Sequence, residues 1–520
     1  MGSIVDSTHK GPLITRTGIA RLAPSAALVV IVSLITVLYM GLWRGLWFDE
    51  LLHFAMGGMT FEYLVRTIDY TTIHVNHGQT GFYMLVDWVL LQLFGASAFV
   101  LRLPSVISGV VLLVSVVVFL RFKGFSWRWQ ALGLMVIGAN ESLVFYMGEA
   151  RPYMPLAASA VAMLAYYSLD SARRRTWWAR ILAVIGFLVG AAMHPYWIFI
   201  WFGIAILSFF DARIAGRGPQ SMKEVWRYLA PSLVLPSIVI YLVLGQLTWM
   251  RRVINFGWDR DSLYNWASLI NAFIQDHLAF LPYVYPRRFG TGEVNAGVMI
   301  PAIAILLGIL IAGLLVARRR LWTTKLIAPS LLLLLATATS LFVSYLSYRS
   351  QYIIFERQWV AGMALSGVAV TWFFAEWWKQ ARDQPRFTRI PVFLFVGLTL
   401  VAFAISMVSQ LFITVERFQS WQQIKQDTRS VDELFQLAAG IEYFLYEPMG
   451  PEQGYGYLAS VNVARGGPVW EGFVRWYNSQ AGMRQDYREV DSNWSDAIWP
   501  EPSPQSFLCL PERQWECPVP

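Results

Sequence analysis

Long apolar runs recur along the chain up to about residue 410 and are separated by short polar connections. A helix needs roughly 20 apolar residues to cross the hydrocarbon core of a bilayer, and about eleven runs reach or approach that length. This pattern predicts an all-α polytopic membrane protein. The predicted spans are 22–43, 98–120, 129–147, 152–170, 178–193, 195–210, 229–249, 297–316, 326–347, 359–378 and 391–410.

Two segments near the N-terminus do not fit a simple span. Residues 1–21 are polar and basic, and the apolar run after them is too long for a signal-peptide core, so we predict a cytoplasmic N-terminus and a retained first helix. Residues 81–94 are apolar but short, and they contain Asp87 and Gln92. We therefore predict an interfacial helix there, within a first outer loop at 44–97.

Composition supports the membrane assignment, because 56% of the residues are hydrophobic and only 14% are charged. The net charge of +8 is uneven: residues 411–520 contain fifteen acidic and eight basic residues, a balance of −7, so the remainder carries +15. Basic residues of the remainder cluster in alternate short connections, which the positive-inside rule places in the cytoplasm. None of these clusters forms a nucleic-acid-binding motif. The clusters lie at 121–128, 173–180, 213–227, 318–325 and 379–389.

The topology follows from these basic connections. Residues 22–410 form the transmembrane domain, and the opposite side of the membrane receives the loop 44–97, a long outer loop at 250–296 and the C-terminal segment 411–520. That segment is rich in Gly, Pro, Trp and acidic residues, so we predict a small extracytoplasmic domain. Its Cys509 and Cys517 would form a disulfide in an oxidising compartment; two free thiols are the alternative.

The dipeptide Asp49-Glu50 directly follows the first predicted span. Two adjacent carboxylates are costly near lipid, so they are either solvated or functional. In a helix, Asp49 and His53 would share one face at i,i+4 spacing. A carboxylate at the membrane surface can act as a general base toward an incoming hydroxyl. The alternative is an ordinary solvated helix end.

Histidines are concentrated on the predicted outer side. His77 and Glu50 are candidate ligands of a divalent metal ion, although the spacing matches no strong metal signature. Contact with a polar substrate is the alternative role for His53 and His77. His194 lies in a turn between two predicted spans, where it would line a cavity or end a helix.

Two acid–arginine pairs interrupt apolar runs at the same outer level. They are Glu149 with Arg151, and Glu356 with Arg357. The planar donors of arginine suit a phosphate, because they can bind two of its oxygens at once. Structural ion pairs are the alternative reading of both sites.

Several segments in a fixed order resemble motifs of the GT-C superfamily of integral-membrane glycosyltransferases. The branch in question contains the protein O-mannosyltransferases and the aminoarabinose transferase of lipid A. Residues 46–50 resemble its acidic motif in the first outer loop, and 77–85 resemble its His-Pro-Pro-Leu-Tyr-type segment. Residues 99–105 resemble an Ala-Leu-Arg-Leu-Pro-Ser segment, and 149–153 resemble an Arg-Tyr-Ala-Arg-Met-type turn.

The resemblance implies a function at the outer face of a bacterial cytoplasmic (inner) membrane. An inverting enzyme would move a sugar from a polyprenyl-monophosphate donor to a hydroxyl of a glycan, lipid or protein acceptor. Asp49, with Glu50 beside it, would be the catalytic base. Arginines such as Arg151 and Arg357 would stabilise the leaving phosphate, as could a divalent metal through His77.

Two other functional classes compete with this interpretation. A transporter or flippase of lipid-linked sugar would need a similar bundle, but transporters often show inverted internal repeats, and we find no convincing repeat. A non-catalytic scaffold for polymer assembly would use the outer tail to bind partners, with an incidental acidic pair. The sequence alone identifies neither the sugar nor the acceptor.

Overall fold

The computed structural model describes residues 16–36, 53, 61, 81–94, 98–170, 173–194, 196–214, 266–281, 308, 324–349 and 356–427. Within these residues the regular structure is entirely helical. This confirms the predicted all-α class. The predicted spans 229–249 and 297–316, apart from Gly308, lie outside the described residues, as does the chain after Asp427 with both cysteines.

The helices follow one another with short connections. They are α1 (Arg16–Thr36), α2 (Phe82–Phe94), α3 (Ala98–Phe122), α4 (Trp127–Ala139), α5 (Glu141–Met147), α6 (Tyr153–Ser168), α7 (Trp177–Ala183), α8 (Gly190–Met193), α9 (Trp197–Ile214), α10 (Trp266–His277), α11 (Thr324–Arg349), α12 (Val360–Ala381) and α13 (Ile390–Asp427). A π-helical segment, Val184–Val189, joins α7 to α8. Short 3-10 turns occur at Arg173–Arg175, Glu356–Trp359 and Arg386–Arg389.

Long apolar helices make this a multi-pass membrane protein, as predicted. Four helical stretches of the described residues are long and apolar enough to cross a bilayer. They are Phe99–Phe122, Lys325–Leu346, Arg357–Ala381 and Arg386–Leu411. The helix α2 has 13 residues, which is about 20 Å and therefore short for a span.

The centre of the bundle is α6, whose side chains from Tyr153 to Tyr167 are all buried. It packs against α3 and α12. Many of its residues are Ala or Ser, and such small side chains allow neighbouring helices to approach closely. A Cβ atom at Gly186 of the π segment would lie 3.0 Å from the backbone of Met163, so this neighbouring segment also lies directly against α6.

Two predicted continuous spans are interrupted in the structure. Span 129–147 is broken at Asn140, whose backbone is extended and whose side chain accepts a hydrogen bond from the Leu143 amide at 2.9 Å. An asparagine side chain that caps a helix start favours such a break. Span 178–193 contains the π segment, where the Trp197 indole donates to the Gly186 carbonyl at 2.7 Å. Both breaks depend on side-chain contacts that apolar periodicity does not report.

The helix α10 lies within the predicted outer loop 250–296. This helix and the turn after it pack into the bundle. The Phe280 ring lies 5.3 Å from that of Phe395 and 6.5 Å from that of Phe374.

The helix α13 extends beyond its predicted end. It continues without interruption to Asp427, across the predicted boundary between the transmembrane and C-terminal domains at 410–411. The physical reason is that polar residues such as those after 415 end an apolar run without ending a helix.

Candidate functional site

A buried polar network joins three parts of the chain that the sequence separates widely. It contains His53 from the first predicted outer loop, Asp87 of α2, and Arg151 from the turn before α6. The side chains of His53 and Asp87 are fully buried, and Arg151 is 4% exposed. Buried charges normally need partners, and this network supplies them.

The directions of the hydrogen bonds in this network can be assigned. The His53 Nδ1 atom lies 2.7 Å from Asp87 Oδ2, and the His53 Nε2 atom lies 3.4 Å from Arg151 Nη1. A guanidinium can only donate, so Nε2 must accept, and the ring proton is on Nδ1, which donates to the Asp87 carboxylate. The imidazole therefore links a carboxylate to a guanidinium.

A second set of bonds fixes the backbone at Arg151. The Ser105 hydroxyl of α3 donates to the Arg151 carbonyl at 3.2 Å. Since that hydroxyl has only one proton, the Tyr83 hydroxyl, 2.7 Å away, donates to Ser105. The Tyr83 ring also makes an edge contact with His53, with 5.4 Å between ring centroids. Tyr83 thus contacts the His53 imidazole directly and, through Ser105, stabilises the turn that contains Arg151.

Helical spacing explains why α2 can contribute to this network. Its buried residues include Tyr83, Asp87 and Leu91, which are four residues apart and share one face. Gly81 has a φ of +74°, a conformation that glycine adopts without steric cost, and it precedes the first turn. The buried face of this short helix is therefore polar in its first half and apolar in its second half.

Two more charged residues are buried, and each is close in sequence to a residue of the network or of the bonds around it. Arg102, which is fully buried, lies one helical turn before Ser105 on α3. Glu149, which is 1% exposed, lies two residues before Arg151, and its carbonyl accepts from the Arg151 amide at 2.7 Å. The predicted site residue Glu149 is thus buried in the same turn as Arg151.

Tyr153 connects two further predicted site residues. Its ring lies 6.0 Å from that of His194, and the Arg357 guanidinium carbon lies 5.9 Å from its centroid. The Tyr196 amide donates to His194 Nδ1 at 3.2 Å. Burial lowers the pKa of His194 from its usual 6.5 to about 3, so this imidazole is neutral at physiological pH.

The described residues include only some of the predicted site residues. The structure brings His53 and Arg151 into contact, and it brings His194 and Arg357 to Tyr153. Asp49, Glu50 and His77 lie outside the described residues, as does the side chain of Glu356. The roles proposed for these four residues, and the metal site on His77 and Glu50, therefore stay predictions.

Sequence reasoning missed Asp87, Tyr83 and Ser105 as site residues. In the sequence, Asp87 indicates only that residues 81–94 are too polar for a simple membrane span. The available signal was the four-residue spacing of Tyr83 and Asp87 within an otherwise apolar helix. In the part of the chain that the structure describes, no group of three or more His, Cys, Asp or Glu residues is arranged to hold a metal ion.

No protein-family model and no curated protein sequence matches this chain. Solved structures do show similarity. The apo oligosaccharyltransferase of Archaeoglobus fulgidus is 12% identical with a TM-score of 0.43, covering 84% of this chain and 63% of that one. ArnT from Cupriavidus metallidurans bound to undecaprenyl phosphate is 14% identical with a TM-score of 0.44, covering 92% of both chains.

The lengths differ in the first comparison, since this chain spans 63% of the length of the archaeal oligosaccharyltransferase. Identity of 12–14% is low for both, so roles of individual residues must be argued from this chain itself.

Proposed function

We propose that this chain is an inverting glycosyltransferase. It moves a sugar from a polyprenyl-monophosphate donor to a hydroxyl acceptor at the extracytoplasmic face of the membrane. The observation that supports this most directly is the buried Asp87–His53–Arg151 network. In this network the Arg151 guanidinium lies beside His53. His53 is only four positions after Asp49 in the sequence.

Arg151 is suited to a phosphate leaving group. Negative charge develops on the donor phosphate as the glycosidic bond breaks, and oriented cationic donors stabilise such charge most in a site that excludes water. A guanidinium has five N–H donors, so its bond to His53 is compatible with binding two phosphate oxygens. Arg357, held against Tyr153, supplies a second cation at the same end of the bundle.

The transfer itself is a single displacement. The acceptor oxygen attacks the anomeric carbon from the side opposite the phosphate, and the bond from that carbon to the phosphate oxygen breaks. Asp49 takes the proton of the acceptor hydroxyl, and polyprenyl monophosphate leaves with the bonding electrons. Glu50 lies beside the base, and Glu149 and His194 contact the sugar or the acceptor.

A divalent metal is a further candidate component. His77 and Glu50 are the residues that would hold it, and it would add Lewis acidity at the donor phosphate. His53 is not a fitting ligand, because its Nε2 atom accepts from Arg151 and its Nδ1 atom donates to Asp87.

The test compares release of polyprenyl monophosphate by wild type, Asp49→Asn and the matched control Asp383→Asn, which changes an exposed acid. Purified proteins are incubated with a panel of lipid-linked sugars and membrane-glycan acceptors. Release by wild type and the control, with loss of at least a hundredfold in Asp49→Asn, is expected for loss of a general base.

The outcomes separate the candidate roles. Equal release by all three proteins would remove Asp49 from the mechanism. If wild type releases no polyprenyl monophosphate from any donor but moves the lipid across liposome membranes, the transferase proposal is wrong. The chain would then be a transporter of lipid-linked sugar.

A further inference from the structure

Two serines one turn apart on α11 hold residues from two other elements. The Ser340 oxygen lies 2.8 Å from His277 Nε2, at the end of α10. The Ser344 oxygen accepts a hydrogen bond from the indole N–H of Trp359 at 2.7 Å. We call these four residues, with Phe273, the serine clamp.

Each bond in the serine clamp has a defined direction. The His277 Nδ1 atom lies 2.9 Å from the Phe273 carbonyl, which can only accept, so Nδ1 carries the ring proton. The Nε2 atom therefore accepts from the Ser340 hydroxyl. The Ser344 hydroxyl donates to the Ser340 carbonyl at 2.9 Å, which leaves its oxygen free to accept from the indole.

Aromatic contacts join the same elements directly. The Phe273 ring stacks on His277, with centroids 4.1 Å apart and an interplanar angle of 22°. The same Phe273 ring meets Trp359 edge-on at 5.1 Å. A Cβ atom at Gly362 would lie 2.0 Å from the Ser340 oxygen and 3.1 Å from His277 Nε2. Only a glycine at this position allows the helices to approach so closely.

The serine clamp lies next to Arg357 in the chain. Trp359 and Arg357 belong to the same four-residue 3-10 turn, Glu356–Trp359. A single 3-10 turn has weak internal hydrogen bonding, so its orientation depends on what its side chains contact. Trp359 is 2% exposed and anchored, and two residues earlier Arg357 meets the Tyr153 ring.

We propose that His277 and the serine clamp position Arg357 for the donor phosphate. This inference rests on the proposed function, because it assumes that Arg357 binds a polyprenyl monophosphate. None of the clamp residues touches the substrate in this scheme. They hold the 3-10 turn, and the turn presents the guanidinium.

The test measures binding of undecaprenyl monophosphate to the full-length protein in nanodiscs, without any transfer step. Ser344→Ala removes the acceptor for Trp359. The matched control is Ser330→Ala, because Ser330 is also on α11 and also donates to the carbonyl four residues earlier, at 2.8 Å. We expect binding to weaken about three- to tenfold in Ser344→Ala, the effect of one lost hydrogen bond, and to be unchanged in Ser330→Ala.

A double-mutant cycle distinguishes positioning from general structural damage. If the serine clamp acts through Arg357, Ser344→Ala causes no further weakening in an Arg357→Ala background. A merely structural role would weaken binding equally in both backgrounds and would overturn the inference. His277→Leu should weaken binding more than Ser344→Ala, and His277→Gln, which can both donate and accept, should restore part of it.

Failure of the inference is separable from failure of the proposed function. If wild type binds the lipid phosphate and Ser344→Ala binds it equally well, the serine clamp does not position Arg357, while the transferase proposal stands. If wild type does not bind polyprenyl monophosphate at all, both are wrong.

Discussion

Removal of the Asp87 carboxylate should destabilise the protein more than removal of an average buried polar group. Asp87 and His53 are both fully buried and 2.7 Å apart. In Asp87→Leu the Nδ1–H group of His53 loses its acceptor, which costs about 1–3 kcal/mol. His53 connects the Asp87 carboxylate to the buried Arg151 guanidinium, so this substitution also removes the negative charge of the network. We expect a total of about 3 kcal/mol, the upper end of the cost of leaving a buried donor without its acceptor.

The amide variant separates the hydrogen bond from the charge. In Asp87→Asn the side-chain oxygen can still accept from Nδ1, so only the charge-assisted part of the bond is lost. That part is about 1–1.5 kcal/mol, the difference between hydrogen bonds to charged and neutral groups. The expected order of stability is therefore wild type, then Asn, then Leu.

The assay is reversible unfolding in mixed micelles of a mild detergent and SDS, followed by the loss of helical circular dichroism. The matched controls are Asp383→Asn and Asp383→Leu, since Asp383 is exposed, and such surface changes stay within about 0.5 kcal/mol. Equal stability of the Asn and Leu variants would refute the assigned proton position on His53. A loss in Asp87→Leu no larger than in Asp383→Leu would refute the network itself.

Two further predictions use the same assay. Gly362→Ala should cost about 1–3 kcal/mol, because its new methyl group would lie 2.0 Å from the Ser340 oxygen and overpack the interface. Gly397→Ala, with nothing within 4 Å, should be neutral or stabilising, and equal effects of the two substitutions would contradict the packing argument. Burial lowers the pKa of His194 in the folded state from 6.5 to about 3. Between pH 3 and pH 6.5 the unfolded state therefore binds more protons than the folded state, so the free energy of unfolding should fall as the pH drops below 6.5. His194→Gln should show a shallower fall between pH 7.5 and pH 5, and identical slopes would contradict a buried neutral imidazole.

Much of the fold can be predicted from the sequence because it depends on local properties. The apolar runs 98–120 and 359–378 correspond to α3 and α12 within a few residues. In a bilayer every backbone polar group must be satisfied within the segment, so a run of sufficient length and apolarity must be helical. The short apolar run 81–94 also predicts a helix, although an interfacial one, and the structure has a helix at Phe82–Phe94.

The candidate site was predictable only as separate residues. Their positions at predicted membrane exits and turns make Arg151, His194 and Arg357 candidates, and its closeness to Asp49 makes His53 one. Which of them are in contact could not be inferred. The partner of His53 is Asp87, 34 positions away, and apolar periodicity carries no information about such pairs.

Tertiary structure alone decided where α10 lies. Its residues lie within the connection 250–296, which the loop charges assign to the outer side of the membrane. Inside the bundle the Asp276 carboxylate accepts from the Ser142 hydroxyl at 2.9 Å, and His277 accepts from Ser340. The sequence determined which segments could be helical and cross a membrane. The packed helices determined where groups such as Asp276 and His277 could be buried, because only there do these two find their partners.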